Sequence, residues 1–125
     1  MNKQYISAID AYHAAKKGAL LLDVREEFET TDIWMDMDDV LLIPFTSFTK
    51  LKNKIPCNRQ IIVCCAIGIV SETVASILGK DGYKEVFVLE NGLIAWKLAN
   101  LPMKSSQEMS CPCQCYNQNK EEDED

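Results

Sequence analysis

The chain has 125 residues, of which 47% are hydrophobic and 26% are charged; this length suits one domain and excludes a second full hydrophobic core. Its longest stretch without a charged residue, residues 60–71, is shorter than the roughly 20 apolar residues that a membrane-spanning helix needs. The N-terminal residues mix charges into an apolar pattern, which a secretory leader does not do. We therefore expect a cytoplasmic protein with no membrane partner.

The net charge of −6 is concentrated at the C-terminus, where residues 121–125 are five consecutive acids. The rest of the chain holds 14 acids against 13 bases, so the body is nearly neutral. A neutral body without a basic stripe, joined to an acidic tail, does not suit a phosphate backbone, and no nucleic-acid partner is expected. The charge pattern does not define an oligomeric state.

Strand and helix signals alternate along the first hundred residues. Short apolar runs typical of strands buried on both faces occur at 19–24, 40–43, 60–64 and 85–89. Apolar residues at helical spacing, with cap signals, predict helices at 7–17, 45–54, 71–80 and 92–99, and a polar helical turn at 25–30. Because short parallel strands need helical crossovers, the sequence predicts an α/β domain with a mainly parallel sheet flanked by helices on both faces.

One loop combines the residues that thiol chemistry needs. Cys65 directly follows the strand predicted at 60–64, Gly68 comes three residues later, and a helix is predicted to start near Ser71. A tight loop of this kind turns its backbone amides inward as an anion-binding nest, and the helix adds the positive end of its dipole. Such surroundings favour a thiolate and suit the terminal sulfur of a persulfide. The residues therefore predict Cys65 as the nucleophile, with an anion- or persulfide-binding loop made of Ala66, Ile67, Gly68, Ile69, Val70 and Ser71.

The segments 61–71, 82–83, 86–96 and 101–102 together resemble the rhodanese-like domain family, and Leu22-Asp-Val-Arg-Glu26 resembles that family's first signature. The match covers about residues 5–103. It implies a single rhodanese-like domain, with Cys65 at the position of the cysteine that accepts sulfane sulfur and passes it on. It also implies a sulfur donor and a thiol acceptor, small molecule or protein, as partners, while no cofactor and no metal ligand are expected.

The chain departs from that family's pattern inside the loop. The family often has an arginine directly after the cysteine and another at the loop's end, where this chain has Ala66 and Val70. Without a guanidinium, only amides and the helix dipole are left to bind the thiosulfate dianion, so efficient use of thiosulfate is not expected. A second hypothesis is therefore a catalytically weak or inactive module that binds a protein partner through its apolar loop.

The remaining cysteines have separate interpretations. Cys64 ends a strand and is predicted to point away from Cys65 as a small core residue, and Cys57 is predicted to be an incidental thiol. Residues 1–104 are expected to form the domain and residues 105–125 a flexible acidic tail. The tail contains Cys111, Cys113 and Cys115, for which an inert role, a sulfur relay and a soft-metal site remain open. A metal-binding accessory protein is accordingly a third hypothesis.

Aromatic residues and the single histidine carry weaker signals. Trp96 is predicted to belong to the core, and His13 has no catalytic partner in view. Trp34 and Met35 lie in an acidic segment, where either a partner patch or packing over the sheet edge would account for them.

Overall fold

A computed structural model of the chain describes residues 4–26 and 33–105. The strands are β1 (Gln4–Ile6), β2 (Leu20–Asp23), β3 (Ile33–Met35), β4 (Val40–Leu42), β5 (Ile61–Cys64), β6 (Val86–Leu89) and β7 (Met103–Ser105). The α-helices are α1 (Ala8–Lys16), α2 (Phe48–Leu51), α3 (Ile69–Lys80) and α4 (Gly92–Leu98), and 3-10 turns at 45–47 and 52–54 flank α2. Within these ranges, no helix is long and apolar enough to cross a bilayer.

Five strands form one parallel sheet in the order β1-β6-β5-β2-β4, with β5 at its centre. The four apolar runs predicted as strands all belong to this sheet, and the predicted fold class is confirmed. The strand β1, at the edge, was not predicted. A separate antiparallel pair of β3 and β7 was not predicted either, and it brings Met35 opposite Met103.

Each face of the parallel sheet is covered by its own helices, as predicted. Phe48 of α2 and Val74 and Leu78 of α3 are buried against one face. Ala11 of α1 and Trp96 of α4 are buried against the other. This two-sided burial explains why β5 and β6 are apolar at every position instead of at alternate positions.

The helix that follows the cysteine loop starts two residues earlier than predicted, at Ile69 instead of Ser71. The reason lies at Gly68, which has φ +102°, a left-handed backbone conformation open to glycine. Because the chain turns at Gly68, the helix begins at the next residue, and Ile69 and Val70 belong to the first helical turn. Only the residues from Cys65 to Gly68 are loop.

The N-terminal helix starts as predicted, because the Ser7 hydroxyl accepts a hydrogen bond from the Asp10 amide at 3.1 Å. The helix predicted at 45–54 is instead one short α-helical turn between two 3-10 turns. At the other end, β7 reaches Ser105. Residues 106–125 and most of the turn predicted at 25–30 lie outside the described residues, so the predicted tail and its cysteines stay predictions.

Candidate active site

Cys65 directly follows β5, the central strand of the sheet, and the chain then enters α3. It therefore lies at the carboxyl edge of the parallel strands, where loops in open α/β sheets gather binding and catalytic groups. Neighbouring strands hold this position firmly: the Val24 amide donates to the Cys64 carbonyl at 2.9 Å. The strand fixes the cysteine, and the helix fixes the far end of the loop.

A backbone amide points at the sulfur of Cys65. The N–H of Gly68 donates to Sγ across an N···S distance of 3.0 Å. Gly68 is also the N-cap of α3, so its amide and those of Ile69, Val70 and Ser71 are the four that the helix geometry leaves without intrahelical acceptors. The Gly68 amide thus donates to the sulfur at the positive end of the helix dipole, an arrangement that favours negative charge there.

Two carbonyl groups of the loop are turned away from this site by α4. The Cys65 carbonyl accepts from the Leu93 amide at 2.8 Å, and the Ala66 carbonyl accepts from the Ile94 amide at 3.3 Å. Because a trans peptide points its C=O and N–H in opposite directions, the amides of Ala66 and Ile67 point away from α4. The first turn of α4 therefore orients the loop, a contribution that no single motif in the loop indicates.

The side chain of Cys65 is 4% exposed and packs in the core cluster beside α3. Ile67 and Ile69 are 54% and 67% exposed, so these two apolar side chains form a rim instead of a cover. Val70 is half-buried against the core. The loop thus presents its apolar side chains outward while it keeps the sulfur close to the backbone.

Ser71 ends the predicted loop with an unusual hydroxyl. Its side chain is fully buried, and its Oγ has no hydrogen-bond partner in the described part of the chain. A buried hydroxyl without a partner costs about 1–3 kcal/mol, so such groups in folded proteins need an explanation. Ser71 lies in the first turn of α3, directly after the cysteine loop.

The adjacent cysteines differ as predicted. Cys64 is fully buried on the opposite face of the sheet from Cys65, and its Sγ donates to the Ile62 carbonyl at 3.5 Å. Burial raises the pKa of Cys64 well above its usual value, and the nearby charge of Asp23 raises it further. Cys64 is therefore a protonated core thiol. Cys57 is exposed, in the connection before β5.

A cavity of about 350 Å³ adjoins the loop and shares Ile67, Gly68 and Ile69 with it. Its polar wall includes Tyr5, Glu72 and Glu90, none of which was predicted from the sequence as a site residue. The Tyr5 hydroxyl donates to Oε2 of Glu72 at 2.9 Å and so joins β1 to α3. These three residues come from separate parts of the chain, and no local pattern brings them together.

The structure also places the aromatic residues, the methionine and the histidine that carried weaker sequence signals. His13 stacks edge-on against Tyr12, with no catalytic neighbour among the contacts of the described chain. Trp96 is fully buried and donates through Nε1 to the Pro102 carbonyl at 2.8 Å. Met35 is buried under the sheet and Trp34 is half-buried, which favours packing over a partner patch. Across residues 4–26 and 33–105, no group of three His, Cys, Asp or Glu side chains is placed to hold a metal ion.

Comparison with known proteins agrees with this architecture. The chain is 27% identical over 106 residues to a thiosulfate sulfurtransferase GlpE of Haemophilus influenzae, covering 85% of this chain and 99% of that protein. A sulfurtransferase of Allochromatium vinosum is 29% identical over 90 residues, which cover 72% of this chain and 82% of that one. The crystal structure of a rhodanese-related protein from Thermoplasma volcanium superposes with a TM-score of 0.74 at 25% identity, covering 81% of this chain and 97% of that one.

The match also holds at the level of the family. The family profile described as the rhodanese-like domain matches residues 7–99, which include the sheet's central strands, the cysteine loop and α4. The resemblance drawn from the sequence is thereby confirmed, and the two relatives described above are named as sulfurtransferases. This chain belongs to the rhodanese-like domain family.

Proposed function

We propose that this protein is a sulfurtransferase that moves sulfane sulfur through a persulfide on Cys65 to a thiol acceptor. The observation that carries the proposal is the Gly68 amide aimed at the Cys65 sulfur at 3.0 Å, at the start of α3. The family and the sulfurtransferase relatives support it. The cytoplasmic location expected from the sequence belongs to the same proposal.

In the first step, the Cys65 thiolate attacks the outer sulfur of a donor persulfide, R–S–S–H. A sulfur–sulfur bond forms at Cys65 as the donor's own sulfur–sulfur bond breaks, and the leaving thiolate takes the proton and departs as R–S–H. The Gly68 amide and the first-turn amides of α3 stabilise the negative charge on the sulfur that remains. The exchange involves no net oxidation or reduction, so it needs no further oxidant.

In the second step, an acceptor thiolate attacks the terminal sulfur of the Cys65 persulfide. The bond between the two sulfurs at Cys65 breaks, the acceptor leaves as a persulfide, and the Cys65 thiolate returns to its amide cradle. The persulfide places the reacting sulfur one bond further out than Sγ, toward the exposed rim of Ile67 and Ile69. A thiol bound at that rim needs no opening of the core around Cys65.

The choice of donor follows from the loop's charges. Ala66 and Val70 stand where many family members have arginine, and no basic residue from the described part of the chain lines the adjoining cavity. A dianion such as thiosulfate therefore lacks the bidentate partner that usually binds it. Neutral or cationic persulfides are the donors that this loop suits, although relatives carry thiosulfate in their names.

We expect a sulfur adduct of about 32 Da on Cys65 after the purified protein is treated with a persulfide donor, because this is the thiol whose anion the loop amides stabilise. Peptide mapping by mass spectrometry assigns the added mass to individual cysteines. The Cys65→Ser variant should lose the adduct completely.

The matched control is Cys57→Ser, which removes an exposed thiol outside the loop and should keep the Cys65 adduct. Added mass on Cys57 or on tail cysteines, with Cys65 unmodified, would contradict the proposal. Transfer onward is tested by adding a thiol acceptor, which should remove the mass from Cys65.

The buried hydroxyl of Ser71 gives a second prediction. Ser71→Ala removes no hydrogen bond within the described chain, so the free energy of unfolding should stay the same or rise by up to about 1 kcal/mol. Because we propose that this hydroxyl donates to the transferred sulfur, its removal should lower the rate of adduct formation at Cys65 about tenfold. Urea denaturation and timed mass spectrometry measure the two effects.

Ser76→Ala, one turn further along α3, is the control for a serine-to-alanine change in the same helix. It should alter neither quantity by more than a small factor. An unchanged rate at Cys65 in Ser71→Ala would mean that this hydroxyl takes no part in sulfur binding.

The low exposure of Cys65 favours one alternative, an inactive module that binds a protein through Ile67 and Ile69. The two functions differ in the reactivity of the thiol. A catalytic loop should let iodoacetamide label Cys65 faster than it labels Cys57, whereas an inactive core cysteine should react more slowly than the exposed Cys57. The metal-binding hypothesis rests on tail cysteines outside the described residues and stays a prediction.

A further inference from the structure

The cavity beside the cysteine loop has an apolar wall and an acidic wall. Ile67, Gly68 and Ile69 form one side, and the amide of this same Gly68 contacts the Cys65 sulfur. Glu72 and Glu90 stand in the other wall. At about 350 Å³, the cavity is of the size that small-molecule sites occupy.

The two carboxylates are the charged groups of this cavity, since no lysine, arginine or histidine of the described chain lines it. Neither carboxylate forms a salt bridge within residues 4–26 and 33–105. The two carboxylates also affect Tyr5. The hydrogen bond from Tyr5 to Glu72 raises the pKa of the Tyr5 phenol, and the negative charges of Glu72 and Glu90 raise it further. The charged side chains that the described chain contributes to this cavity are therefore all negative.

We propose that Glu72 and Glu90 select persulfide and thiol substrates that carry an ammonium group close to the sulfur, and discriminate against anionic ones. The inference rests on the proposed function and adds the substrate class to it. The loop amides bind the anionic sulfur, the isoleucine rim contacts the short carbon linker, and the acidic wall binds the ammonium group. A substrate with a negative charge in place of the ammonium group meets two carboxylates with no counter-ion.

Three persulfide donors of equal length test this charge selection. They are the persulfides of cysteamine (cationic), 2-mercaptoethanol (neutral) and mercaptoacetate (anionic). The rate of sulfur transfer to Cys65 is measured for each donor in the full chain and in the Glu72→Gln/Glu90→Gln variant. Dividing the two rates for one donor cancels that donor's intrinsic reactivity. Glutamine keeps the acceptor for the Tyr5 hydroxyl, so the hydrogen bond to α3 survives.

We expect the variant to slow the cationic donor about fivefold, to leave the neutral donor nearly unchanged and to accelerate the anionic donor about fivefold. Raising the salt concentration should shrink these differences in the full chain, because exposed charges are screened. Glu85→Gln is the matched control for Glu90→Gln. Both residues are exposed, but Glu85 precedes β6 at the opposite end of the strand from the cavity.

A second measurement separates this inference from the proposed function. Methanethiosulfonate reagents bearing an ethylammonium or an ethylsulfonate group modify a thiolate without any persulfide chemistry. Selection by charge in both assays supports the inference. Equal effects of the variant on all three donors and both reagents would overturn it, even if Cys65 accepts sulfur. Charge selection by the reagents without a persulfide on Cys65 would overturn the proposed function and, with it, the assignment of a persulfide substrate.

Discussion

Replacing Asp23 by asparagine is expected to lower the free energy of unfolding by about 3–5 kcal/mol, because the change removes the buried carboxylate that pairs with the Arg25 guanidinium. Asp23 is fully buried, and Arg25 is only 6% exposed. The Arg25 side chain donates to the carboxylate through Nη2 at 2.9 Å and through Nε at 3.1 Å, and Nη2 also donates to the Ile33 carbonyl at 2.8 Å. The pair thus connects the end of β2 to β3. Urea denaturation, with midpoint and slope both fitted, measures the loss.

The chain provides a matched control in the pair of Asp39 and Arg59, whose Nη2 lies 2.7 Å from the carboxylate at the surface. Asp39→Asn makes the same chemical change where water solvates the charge left behind, and should cost about 0–1 kcal/mol. Replacing both buried partners by apolar residues, Asp23→Leu with Arg25→Met, should cost less than Asp23→Asn alone. If Asp23→Asn and Asp39→Asn lower the free energy of unfolding equally, burial of the ion pair is not the cause of the loss.

The central strands were predictable because they are buried on both faces. Residues 61–64 of β5 are apolar at every position, and a run of that kind has few interpretations other than an interior strand. The edge strand β1 has no such run, since Gln4 and Tyr5 are exposed and only its last residue is half-buried. The pair of β3 and β7 was missed for a related reason: the partners of these three-residue strands lie 68 to 72 positions away along the chain, which no local pattern shows.

The cysteine loop was predictable in its chemistry but not in its boundaries. A cysteine after a buried strand, followed by glycine and a helix, indicates a thiol near backbone amides, and the Gly68 contact to Cys65 has that form. The sequence could not show that Gly68 itself starts the helix, because Ile69 and Val70 suit a loop or a first turn equally well. The left-handed backbone conformation of Gly68 places Ile69 and Val70 in the helix, a choice that the apolar pattern of the sequence did not make.

The acidic wall of the cavity could not be predicted at all. Tyr5, Glu72 and Glu90 lie on β1, on α3 and after β6, and their meeting follows from the strand order, which places β1 beside β6. Each residue by itself is ordinary for an exposed position. The proposed selection by substrate charge therefore depends on the topology of the domain, whereas the proposed nucleophile was indicated by local sequence.

Gly92→Ala is expected to disturb the cysteine loop directly. A Cβ at this position would lie 2.4 Å from the Cys65 carbonyl oxygen and 2.5 Å from that of Ala66, so the loop backbone has to move. Gly92 also has φ +61°, which adds a conformational cost for alanine. Strain and overpacking together should lower the free energy of unfolding by about 2–5 kcal/mol. Sulfur transfer to Cys65 should fall at least tenfold, because the hydrogen bonds from Leu93 and Ile94 that orient the loop are displaced.

Asn100→Ala separates backbone strain from overpacking. Asn100 has φ +57°, so this variant places alanine in nearly the same backbone conformation as Gly92→Ala, but away from the cysteine loop. It should cost about 1–2 kcal/mol and leave the rate at Cys65 unchanged. The difference between the two variants then measures the steric contact of α4 with the loop. If Gly92→Ala costs no more than Asn100→Ala and Cys65 still accepts sulfur at the original rate, α4 does not orient the loop, and the amide geometry at Cys65 is set by Gly68 and α3 alone.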